Sequence, residues 1–196
     1  MKRGFVIVLG VLFAAGPAFA QAPAGQQISL ATSLQRGYAS VKQNLTEGIA
    51  KMPEADFSFK PGPAPELRNF GMLFGHVANA QFGSCSAALG QPNPNQGHNL
   101  ETEATTKDAL TKSLADSFAL CDKAFAGLTD QNAMEMVKQG QNEIARSALL
   151  AGVVIHSNEM YGTASVYMRA KGLVPPSTER QTQMMQGRGA RGNPGQ

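Results

Sequence analysis

The chain has 196 residues, a length that suits one domain, with 17 Lys and Arg against 14 Asp and Glu and a formal net charge of +3. It has no Trp, 7% aromatic residues and no concentrated basic stripe. The electrostatic footprint and stacking platforms of a nucleic-acid binder are both missing, so no nucleic-acid partner is expected.

Residues 1–20 have the three parts of a secretory signal peptide. Lys2 and Arg3 form a charged start, Gly4 to Ala15 is an apolar run, and Ala18-Phe19-Ala20 offers small residues for cleavage. The apolar run falls short of the roughly 20 residues that span a bilayer, and no later segment resembles a stop-transfer helix. The expectation is a periplasmic or secreted protein that begins near Gln21, with no stable membrane insertion after cleavage. Removing Lys2 and Arg3 takes the net charge down to +1. The basic character is thus partly a property of the leader.

Beyond the leader, Ile28, Leu34, Tyr38, Val41, Leu45, Ile49 and Met52 follow a helical period and give one apolar stripe. Pro53 ends it, because proline cannot continue the hydrogen-bond ladder. Residues 53–66 carry Phe57 and Phe59 and then three prolines, which reads as an ordered loop packing two aromatics over the end of a bundle. Asn69 is placed to cap a second helix whose apolar face includes Phe70, Leu73, Phe74, Val77 and Phe82, with His76 on or beside that stripe. Residues 90–98 have loop composition, and His98 within them is expected to be solvated.

Thr105 followed by Asp108 resembles a capping box and introduces a third helix through Leu110, Leu114, Phe118, Cys121 and Phe125. Residues 130–143 are polar and read as a connection. A fourth helix runs from Ile144 to Lys171, where Gly172 and then Pro175-Pro176 form a strong stop. Four helical patterns with no convincing strand series predict an all-α, up-down-type four-helix bundle over residues 28–178. The remainder, 179–196, is rich in Gln, Gly and Arg and is expected to be a flexible, disordered tail.

The cysteines number two, Cys85 and Cys121. In an exported domain they point to a disulfide, worth roughly 3–4 kcal/mol in the chain-entropy model. Two buried free thiols, packed as small hydrophobes, are the alternative.

Three segments carry a family resemblance: PAPELRNFGMLFGHVANAQF around His76, TTKDALTKSLADSFALCDKAF in the third helix, and IHSNEMYGTASVYMRAKGLVPPS at the end. Together, in this order, they resemble the DinB-like four-helix-bundle family over roughly Leu30 to Glu179. The resemblance implies a divalent-metal site made from one histidine on the second helix and two on the last, four residues apart. It also implies a chemistry of thiol-dependent transferases and isomerases. His76 and His156 match the first two places. The third, four residues after His156, is Met160.

Residues four apart on a helix share a face, so two of them can reach one ion. Imidazoles suit Zn, Ni or Cu, whereas a thioether is a soft donor that favours copper. Two completions of the site follow: Glu159 turning inward as a carboxylate, or Met160 giving a His, His, Met set. The plainer alternative is a pair of hydrogen-bonded core histidines. The sequence therefore predicts a non-catalytic small-molecule or metal-binding protein with an altered site. The rivals are a metal-dependent transferase or hydrolase, and a structural protein that forms a homodimer through an apolar face.

Overall fold

The computed structural model describes Gly25 and residues 27–191. The expected leader, 1–20, lies outside the described residues. Four long helices form the body: α1 (Leu30–Lys51), α2 (Phe70–Leu89), α4 (Lys107–Ala126) and α5 (Arg146–Ala170). Between them come a one-turn helix α3 (Leu100–Glu103) and two short strands, β1 (Met136–Gln139) and β2 (Asn142–Ala145). A last helix, α6 (Pro176–Arg191), follows the body.

The helix starts are set by side chains that accept the orphan amides of a first turn. Ser29 Oγ accepts from the Thr32 amide at 3.3 Å and Asn69 Oδ1 from the Met72 amide at 2.8 Å. The α4 cap is Thr106, which accepts from the Ala109 amide at 3.2 Å. The capping residue is thus one place beyond the expected Thr105. The stop at Gly172 is as expected: its φ of 75° is the left-handed conformation that glycine adopts without a Cβ penalty.

The predicted stripes form one core. Val41, Leu45, Ile49, Phe70, Phe74, Val77, Leu114, Leu150 and Met168 are all buried in it. α1 and α2 each pack against both α4 and α5 but touch one another only marginally. The chain therefore crosses the bundle between α1 and α2 rather than stepping to the adjacent helix, a departure from a simple up-down ring. The first crossing, residues 53–69, is ordered as expected. Phe57 is buried against Phe70 with ring centres 5.4 Å apart, and Phe59 meets Tyr167 edge-on at 6.0 Å.

Three expectations are corrected. The polar connection before the last long helix holds an antiparallel hairpin, with Val137 opposite Ile144 and a Gly140-Gln141 turn. Gly140 has φ 62°, which a two-residue turn of the Gly-X type requires at its first position. Ile144 accordingly lies in β2, and the helix begins at Arg146. The segment expected to be a flexible tail from residue 179 is helical through Arg191. Glu179 there pairs with Lys51, while Arg180 reaches Glu47 and Asn44 on α1. Those anchors give the polar segment a surface to fold against.

The Cys85–Cys121 disulfide joins α2 to α4 across the core, with Cα atoms 5.1 Å apart and both cysteines fully buried.

Candidate functional site

α2 and α5 lie side by side, and their contact brings His76 and His156 together. The ring centres are 4.9 Å apart and the planes cross at 71°. Eighty residues of sequence separate them, so the packing of α2 on α5 creates this pair.

His76 is held from its other side by a residue that the sequence reading did not single out. Glu101, on α3, places Oε1 2.5 Å from His76 Nδ1 and Oε2 2.7 Å from Arg68 Nε. The approach of α3 depends on Gly75: a Cβ there would lie 2.5 Å from the Leu100 carbonyl oxygen. Burial alone would raise the Glu101 pKa, but the hydrogen bonds from Arg68 and His76, with their positive charge, outweigh it and lower it. The carboxylate thus stays ionised and fixes the orientation of the His76 ring. A carboxylate on one nitrogen of a histidine is the arrangement that orients ligand histidines in metal sites.

His156 differs from its neighbour. Its Nε2 is buried with no hydrogen-bond partner among the described residues, an arrangement native interiors rarely leave unanswered. Its Nδ1 lies 3.6 Å from Glu159 Oε2, too far for a hydrogen bond. Desolvation lowers the His156 pKa, and the nearby His76 adds to that. The ring is therefore neutral near pH 7, with a lone pair able to bind a metal or accept a proton donor.

The other sequence candidates divide. Glu159 is largely exposed and beside the His156 nitrogen that is not buried. Met160 is buried in the core one turn beyond His156. His98 is mostly exposed, as expected, and sits 2.9 Å from Glu103 Oε2.

The pair meets part of what a metal ion requires. Two imidazoles bound at about 2 Å to one ion bring their ring centres to about 5 Å, close to the separation found. The unpartnered nitrogen of His156 and the anchored ring of His76 fit two ligands. Among the described residues, however, no group of three or more His, Cys, Asp or Glu side chains is arranged to hold an ion. Glu101 is already engaged by Arg68 and His76. A third protein ligand of those types is lacking among the described residues.

Alongside the pair runs a groove between α2, the hairpin and α5, of about 270 Å³. His156 and Ser157 line it together with Gln81. Gln81 is buried, and its amide bridges Ser117 Oγ at 2.9 Å and Ser157 Oγ at 3.2 Å.

No family model and no curated protein matches the chain. Solved structures do. A DinB-like protein from Bacillus cereus ATCC 10987 superposes with a TM-score of 0.60 at 16% identity, over 73% of this chain and 93% of that one. A conserved protein from Enterococcus faecalis gives 0.57 at 17% identity, over 73% and 97%. At such identities the likeness is one of backbone architecture. With the helix order and packing described above, the chain has the DinB-like fold.

Proposed function

We propose that the protein is a binding protein whose His76–His156 pair takes one transition-metal ion, with no catalytic residue assigned. The observation that carries this reading is the His156 Nε2 atom, buried and unpartnered beside His76. His76 would hold the ion through Nε2, because Glu101 occupies Nδ1. His156 would hold it through its own Nε2. Two histidines with a soft methionine one turn further on favour copper over zinc or nickel. That preference also suits the export expected from residues 1–20. A bound ion of this kind would supply a Lewis-acid centre; the residues described here bind and orient, and no proton transfer is assigned to them.

A second reading, a metal-dependent transferase or hydrolase, is favoured by one feature. The Arg68–Glu101–His76 chain is more support than a passive core histidine needs. The carboxylate fixes the orientation of the His76 ring.

Elemental analysis of protein purified without chelator or affinity histidines tests the first reading. Near-stoichiometric metal is expected in the wild type and loss of it in His156→Ala, with the helical signal retained. Absence of metal after reconstitution with Zn, Ni and Cu would end both readings. Turnover that depends on the metal would favour the second.

A further inference from the structure

We propose that the groove between α2, the hairpin and α5 binds an uncharged small molecule with an apolar body, whose hydrogen-bond acceptor is met by the Ser157 hydroxyl. The groove measures about 270 Å³, larger than the roughly 150 Å³ cavity that admits benzene. Its walls include Ile144, Leu149 and Val153, and no Asp, Glu, Lys or Arg lines it among the described residues. A charged ligand would lose hydration there with no counterion to replace it. A neutral one loses little.

The polar end is directional. The Ser117 hydroxyl is shared between Gln81 Oε1 at 2.9 Å and the Leu114 carbonyl at 2.8 Å, and Gln81 Nε2 donates to Ser157 Oγ at 3.2 Å. Ser157 thereby accepts, and its own proton is left to donate onward. Ser157 is 1% exposed, so a donor left unused there is costly and a ligand acceptor rewards it.

The test is a titration of the metal-free protein, followed through the methyl NMR signals of Leu149 and Val153. The probes are acetophenone, its acceptor-less analogue cumene, benzoate and benzylammonium. Acetophenone is expected to bind saturably, at least tenfold more tightly than either ion and several-fold more tightly than cumene. Ser157→Ala should weaken acetophenone about fivefold and leave cumene unchanged. Gly152→Leu provides a check that does not disturb the core. A Cβ at that position meets open space, and leucine is the better helix former. That variant should melt no lower than the wild type while losing both neutral probes.

Absence of any saturable shift would overturn the proposal. So would an ion that binds as tightly as acetophenone, cumene that equals acetophenone in the wild type, or unaltered binding in Gly152→Leu. None of these results bears on metal at His76 and His156, so this proposal and the metal reading fail separately.

Discussion

Desolvation holds the His156 imidazole below its ordinary pKa, with the neighbouring His76 adding to the effect. The unfolded chain takes up a proton at this residue near pH 6.5, whereas the folded chain resists until lower pH. Through that interval the unfolded state binds more protons, so stability falls as the pH drops below about 6.5. Glu101 acts in a more acid window. Burial would raise its pKa, but hydrogen bonds from Arg68 and His76 prevail and lower it. Its contribution is present above about pH 4.3 and is lost as pH falls through the lower folded value. Glu103 and Asp130, also depressed, add to that acid stage. Thermal melts of the metal-free protein across pH should therefore show two declines. His156→Gln should remove the upper one, and Glu101→Gln should only reduce the lower. A wild type with one acid decline, or an upper decline that survives in His156→Gln, contradicts this account. At the residue scale His76 and His156 could be named from the sequence through the DinB-like resemblance, which implies one histidine on the second helix and another on the last. Glu101 could not. It lies in a polar run after a proline-rich loop, and only the fold of α3 onto Gly75 brings it to His76.

At the scale of elements, what could be read follows from length. Each long helix repeats its apolar positions over five turns or more, so the period speaks for itself. A single turn such as α3 has too few residues to show a period. The hairpin was hidden for a different reason. One of its faces rests on little of the core, and Met136 and Val137 are the only apolar residues of β1. The signal that could have revealed it is Gly140-Gln141 between two short runs, a Gly-X turn. Helix α2 is held to α4 by more than periodicity. Closing a loop of 36 residues through Cys85 and Cys121 removes unfolded-state entropy worth about 4 kcal/mol in the chain-entropy model. Replacing both cysteines by alanine should lower the unfolding free energy by about 3–4 kcal/mol in denaturant titration while keeping the helical circular dichroism. A loss under about 1 kcal/mol would mean that the native state gains little from the link.

The whole molecule raises the question of where the folded body ends. Composition placed the boundary at residue 179, since the Gln-, Gly- and Arg-rich end has no core-forming period. The structure places the anchors across that boundary. Ser177 exchanges hydrogen bonds with the Tyr161 hydroxyl, Lys51 pairs with Glu179, and Arg180 reaches Glu47 and Asn44. Further along, Met184 and Met185 are exposed, and the side chains there have little to hold them. Two truncations separate the parts. A chain ending after Thr182 keeps every one of these contacts and should unfold within about 0.5 kcal/mol of the full chain, as surface changes do. A chain ending after Val174 also loses Pro175 and Pro176, which are buried, and leaves the Tyr161 hydroxyl without its partner. Two lost hydrogen bonds at Tyr161 and two half-exposed ion pairs add up to about 2–4 kcal/mol. Equal stability of the two truncated chains would show that α6 merely rests on α1. A large loss already after Thr182 would move the boundary outward, past the exposed Met184 and Met185.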